Sequence, residues 1–281
     1  MANIIDGKKI AEEYKTEIKV LVDELKMANK QIPCLAAIIA GNDGGSHYYL
    51  NSVIKNCNLL GIQTEVKKYD ESVTEDELIE AIKSMNKDDK IHGIMLFLPL
   101  PKGIDEKRVS SAISYKKDVD CLTDINNGKF YKGEKSFKPC TAQSVVNLAK
   151  STGITLEGKN VVIIGRSNIV GKPTAQLMLN ENATITICHS KTKNLVEICK
   201  RADILVSCIG KANFITGEYI KEGAIVIDVG TSSVNGKITG DVLFQEASEK
   251  ASFITPVPGG VGAVTTTLLI KNVCEAFLNV Y

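Results

Sequence analysis

Short apolar runs alternate with amphipathic stretches along almost the whole chain, the pattern of βαβ units built on a mostly parallel sheet. In the first half it predicts helices at 7–29, 46–60 and 74–86 and strands at 34–40, 64–68 and 92–98. Thr74 with Glu77 three residues on predicts a capping box for the third helix. From 99 to 139 the periodicity weakens into turns, including Asn126-Asn127-Gly128 and Lys132-Gly133. A second series follows, with helices at 142–151, 173–180 and 195–201 and strands at 160–164, 184–188, 204–208 and 224–229. A domain boundary near residue 140 is predicted, and a last helix at 265–278 follows the Pro/Gly segment 255–262.

Composition narrows the class of partner. The chain carries 34 basic and 33 acidic residues among 281, so it has no overall pull towards nucleic acid or an anionic membrane. The longest apolar runs, 34–40 and 94–101, are far shorter than the roughly 20 residues that span a bilayer. With no basic-then-apolar leader pattern at Met1–Lys9, the expected location is cytoplasmic and the expected partner a small molecule. The eight cysteines are scattered without a CxxC or Cys/His cluster, which points to buried reduced thiols and to no metal site.

The strand at 160–164 runs into Gly165-Arg166-Ser167-Asn168-Ile169-Val170-Gly171-Lys172-Pro173. A glycine at the strand end lets the backbone approach a pyrophosphate, and a helix N-terminus beyond it offers free N–H groups and a positive dipole end. Pro173 suits the first position of that helix. The spacing is not GxGxxG, and an ordinary βα turn would also read this way. Gly165, Arg166, Ser167 and Ile169 are the candidate cofactor contacts. The next strand ends in His189-Ser190-Lys191-Thr192-Lys193, where an NAD enzyme usually places an acid on the ribose 2′-hydroxyl. No acid is present, and Ser190, Lys191, Lys193 and Arg166 match a 2′-phosphate, so NADP is favoured over NAD.

Ile5-Asp6-Gly7-Lys8, Lys117-Asp118-Val119-Asp120, Pro139-Cys140-Thr141, the Gly165–Pro173 loop, Gly240-Asp241-Val242 and Ile254–Gly262 occur in that order along the chain. Together they resemble the bifunctional methylenetetrahydrofolate dehydrogenase/cyclohydrolase family. The resemblance implies an α/β fold with an N-terminal substrate domain (1–139, completed by a helix at 265–281) and a C-terminal Rossmann-like NADP-binding domain (140–264). It also implies a homodimer, folate bound in the cleft between the domains, and NADP on the Gly165 loop. Substrate contacts then fall to Tyr49, Val53, Phe97, Asp120, Pro258, Gly259 and Gly260, with Tyr49 and Asp120 catalytic. Thr231, after Gly230, joins the cofactor contacts, and Asp228 at its strand end is a secondary candidate.

The chain departs from the family pattern where its chemistry is concentrated. The resemblance implies Tyr-x-x-x-Lys, but four residues after Tyr49 stands Val53; Lys55 lies about 200° further round the helix. Phe97 replaces a glutamine, Cys121 replaces the glycine after Asp120, and Ala263-Val264 replaces Pro-Met. Oxidation of 5,10-methylene-tetrahydrofolate by hydride transfer needs orientation and tolerance of positive charge, whereas hydrolysis of the methenyl product needs proton transfers. The expected activity is therefore an NADP-dependent dehydrogenase with weak or lost cyclohydrolase. A relative acting on a modified folate or other pterin, and a non-catalytic NADP- or folate-binding paralogue, are the alternatives.

Overall fold

A computed structural model describes residues 1–234 and 236–279. The chain opens with a two-residue strand, β1 (Asn3–Ile4), then α1 (Gly7–Met27), whose first turn is capped by Asp6 accepting from the amides of Lys8 and Lys9. The predicted alternation follows as β2 (Cys34–Ala40), α2 (Gly44–Leu60), β3 (Gln63–Tyr69), α3 (Glu75–Lys87) and β4 (Gly93–Leu96). These strands form a parallel sheet in the order β3-β2-β4. All seven residues of β2 are buried, as a central strand covered on both faces requires. The capping box before α3 is present in full: Thr74 Oγ1 accepts from Glu77 N, and the Glu77 carboxylate accepts from Thr74 N.

The stretch read as irregular contains α4 (Glu106–Ser111) and α5 (Asp124–Lys132). Asn126-Asn127-Gly128, predicted as a turn, lies inside α5. Thr123 caps that helix by accepting from Asn126 N, and the buried Asn126 side chain donates to Tyr115 O and to Asp118 Oδ2. Those long-range bonds outweigh the local turn preference of the tripeptide.

The second series begins with α6 (Cys140–Lys150) and continues through β5 (Asn160–Ile164), α7 (Gly171–Asn180), β6 (Thr184–Cys188), α8 (Leu195–Cys199), β7 (Ile204–Ser207) and β8 (Ile225–Asp228). A small hairpin, β9 (Ser232–Val234) with β10 (Lys237–Thr239), precedes α9 (Phe244–Lys250), β11 (Phe253–Ile254) and α10 (Val261–Phe277). The main sheet is parallel throughout, in the order β1-β11-β8-β7-β5-β6. Helix α7 starts at Gly171, so Pro173 occupies its third position, not its first.

The chain divides into two compact units, one of Met1–Glu12 with Pro139–Thr265, the other of Glu13–Lys138 with the chain from Thr266 on. The first twelve residues, placed by the sequence reading in the N-terminal domain, belong with the Rossmann-like unit, because β1 pairs with β11 at its sheet edge. The final helix belongs, from Thr266 on, to the other unit. There Lys271 Nζ meets Glu17 at 2.7 Å and Asn272 donates to Val119 O at 2.7 Å. Of the residues expected in that helix, Val280 and Tyr281 lie outside the described residues. Seven of the eight cysteines are buried, Cys208 partly so, and all are free. Among the described residues no helix is long and apolar enough to cross a membrane.

Candidate functional site

In the unit of 13–138, the candidate residues gather where β2 and β4 end. Asp43 caps α2, its carboxylate accepting from Ser46 N at 2.7 Å, and the Ser46 hydroxyl is also within reach of Leu98 O at 3.1 Å. The start of α2 is thereby fixed beside the strand end Phe97-Leu98. One turn along α2, Tyr49 is half-buried and meets the Phe97 ring edge-on, 5.8 Å between centroids and 65° between planes. Val53 lies a further turn on, where side chains four apart share a face. Lys55 is exposed.

Val53 and Phe97 were expected to touch substrate, yet they expose 0% and 3% of their surface. Phe97 backs Tyr49 from within the core, Val53 is enclosed one turn further along α2, and neither contributes a titratable group. Asp120, half-buried, follows a segment that runs beside β4: Asp118 bridges Ile94 in parallel, and Ile94 N donates to Lys117 O at 2.7 Å. Asp120 thus leaves the sheet two residues beyond that bridge, at the carboxyl edge where Phe97 also sits. Cys121, beside it, adopts the left-handed φ of 58°, which accounts for a glycine in the pattern the chain resembles.

The Rossmann-like unit carries the other candidates. Gly165 has φ 128°, and a Cβ there would lie 2.5 Å from Cys208 Sγ and 2.6 Å from Cys208 O. Gly171 is tight for the same reason, since a Cβ on it would strike Gly165 O. Ser167 shapes the turn from within, its Oγ accepting from Val170 N and Gly171 N and its carbonyl from Lys172 N. Among the described residues nothing accepts from the amides of Arg166, Ser167, Asn168 or Ile169, all exposed. Exposed amides ahead of a helix N-terminus, with no side chain at Gly165, form a cradle suited to a pyrophosphate.

Arg166 and Ser190 stand two residues beyond the paired strand ends Ile164 and Cys188, on neighbouring strands. Gly165 N donates to Cys188 O, joining the two loops, and Thr192 Oγ1 accepts from His189 N. Ser190, Lys191 and Lys193 are exposed, whereas His189 Nδ1 accepts from Lys191 N within the turn. Thr231 is exposed just past β8, two strands away from β5. The Pro258-Gly259-Gly260 loop packs on the N-terminal motif: a Cβ on Gly7 would collide with Gly260 O.

Two buried carboxylates brace these loops, and neither role was read from the sequence. Asp241 accepts from Ser207 Oγ and from the amides of Ile209, Gly210 and Lys211, holding the chain after β7. Asp228 accepts from the amides of Gly230, Asp241 and Val242, which makes it a brace for the loops after β8 and β10. The one available signal was an acid following an apolar strand.

Burial pushes the Asp228 carboxyl up to about 6, with Asp241 adding to the rise and the three amides opposing it. Between the ordinary carboxyl range and about 6, the unfolded chain has released a proton that the folded chain keeps. The stabilisation is therefore complete below that window and falls as pH rises through it. Relative to Asp228→Asn, the parent should lose about 2 kcal/mol between pH 4 and 6, read by urea unfolding. Parallel pH profiles would contradict this.

A parallel six-stranded sheet with a glycine turn ahead of a helix N-terminus defines a dinucleotide-binding α/β protein of the Rossmann-like class. Residues 139–280 match the tetrahydrofolate dehydrogenase/cyclohydrolase NAD(P)-binding domain, and residues 5–120 match the catalytic domain of the same family. The chain belongs to that family. It is 59% identical over 276 residues to the bifunctional protein FolD of Clostridium acetobutylicum, covering 98% of this chain and 99% of that protein. The crystal structure of the bifunctional FolD enzyme from Campylobacter jejuni superposes with a TM-score of 0.95 at 41% identity, covering 100% of both chains. The Trypanosoma brucei dehydrogenase-cyclohydrolase, solved with NADP cofactor and inhibitor, gives 0.95 at 36% identity, covering 99% of this chain and 98% of that one.

Proposed function

We propose that the protein is an NADP-dependent 5,10-methylene-tetrahydrofolate dehydrogenase whose cyclohydrolase activity is weak or lost. The carrying observation is the pair Val53 and Phe97, apolar and buried, where the family resemblance calls for lysine and glutamine. A nicotinamide cofactor held by the amides of the 166–169 loop would supply the hydride acceptor, a two-electron oxidation that would leave the substrate as a methenyl cation shared by N5 and N10. No proton has to be moved in that step. Tyr49, steadied by the edge of Phe97, offers a ring face to the flat substrate, and the Asp120 carboxylate favours the growing positive charge.

Hydrolysis of the methenyl product differs, because water must lose a proton as the ring opens. Neither Val53 nor Phe97 can hold or pass one. Support for NADP comes from Arg166 and Ser190 at adjacent strand ends, exposed Lys191 and Lys193, and the lack of any acid from 189 to 193. A homodimer, as the resemblance implies, and a cytoplasmic location complete the reading.

The test is a steady-state assay with 5,10-methylene-tetrahydrofolate and either NADP or NAD, following reduced nicotinamide. Turnover with at least tenfold preference for NADP is expected. Turnover with another pterin alone, or cofactor binding without turnover, would replace this reading.

A further inference from the structure

Asp120 sits in a turn whose backbone is held from three sides. Asp118, only 1% exposed, accepts from Leu122 N at 2.8 Å, Thr123 N at 2.9 Å, Thr123 Oγ1 at 2.7 Å and Asn126 Nδ2 at 2.9 Å. Its two oxygens thus clasp the chain on the far side of Asp120. On the near side, Asn272 of α10, 5% exposed, donates its side-chain amide to Val119 O at 2.7 Å. That carbonyl belongs to the peptide whose nitrogen is Asp120's own. Beneath, Gly93 leaves the space taken by Val119 and Val273, since a Cβ there would lie 2.7 Å from Val119 Cγ1 and 3.0 Å from Val273 Cγ2.

A helix fold alone gives no reason for a buried asparagine at 272 among the apolar neighbours Ile270, Val273 and Cys274. A buried amide with a fixed partner is a device for specifying geometry. We propose that Asn272, acting with Asp118, is a positioning residue that fixes the Asp120 carboxylate for the dehydrogenase reaction. This inference rests on the role given to Asp120 above.

A double-mutant cycle on the full chain tests it, with kcat/KM for 5,10-methylene-tetrahydrofolate and KM for NADP as readouts. Asn272→Leu keeps the branched shape and removes the donor. It should lower folate kcat/KM about tenfold in the parent, but less than twofold in the Asp120→Asn background, with the NADP KM unchanged. Equal losses in both backgrounds, or none in either, would overturn the proposal, since a merely structural asparagine acts independently of Asp120. Should Asn272→Leu fail to fold, Thr123→Val removes one donor to Asp118 and carries the same prediction and the same overturning results. Asp120→Asn alone reads the underlying assignment: unchanged turnover in that single variant would remove the role of Asp120 itself.

Discussion

Mixed with 5,10-methenyl-tetrahydrofolate, the purified protein is expected to yield 10-formyl-tetrahydrofolate no faster than buffer does, while the same preparation turns over as a dehydrogenase. A positioned acid–base group typically contributes about 10²–10⁴-fold, and the position four residues past Tyr49 holds a valine with no exposed surface. Phe97, 3% exposed, stands where the family resemblance implies a glutamine and offers no second polar group. Hydrolysis clearly above the uncatalysed rate would end this part of the reading. The converse variant, Val53→Lys with Phe97→Gln, should raise hydrolysis above that of the parent. A lysine in so dry a place has its pKa pulled down towards the range useful for proton transfer, at a cost in stability that thermal unfolding would register.

The other large effect belongs to Gly165→Ala. The new methyl would have to share space with the sulfur and the carbonyl oxygen of Cys208, at a backbone φ of 128° that L residues rarely adopt. Overpacking and backbone strain together should cost about 2–4 kcal/mol, and relief by shifting the loop would spoil the cradle of amides at 166–169. The expected result is a lower unfolding midpoint and NADP affinity at least a hundredfold weaker by fluorescence titration. Parental affinity in a folded Gly165→Ala protein would show that the loop does not approach the cofactor.

Elements whose cause is local were legible in the sequence. The buried run 34–40 and residues 161–164 of β5 are continuous apolar segments, and the box before α3 needs only Thr74 and Glu77. Elements whose cause is distant were not. Strands β1 and β11 have two residues each and exist because they pair with each other and with β8, which no window of sequence displays. Helix α5 overrides an Asn-Asn-Gly turn because Asn126 finds Tyr115 and Asp118 in three dimensions. The glycine loop was readable as spacing, whereas the lysine that Val53 replaces was implied only by the family resemblance. The bracing roles of Asp228 and Asp241 were not, because an acid in sequence does not reveal that three or four donors will converge on it.

Cys121 holds a left-handed conformation that costs a side-chain-bearing residue about 1–2 kcal/mol relative to glycine. Left to its own preferences, the peptide Lys117–Thr123 would therefore abandon this bend. The bend is inherited from the bonds that Asp118 and Asn272 make across it, so the segment grafted by itself onto another scaffold would carry the letters of the motif without its form. Transplanting it requires α5 and the last helix to travel with it.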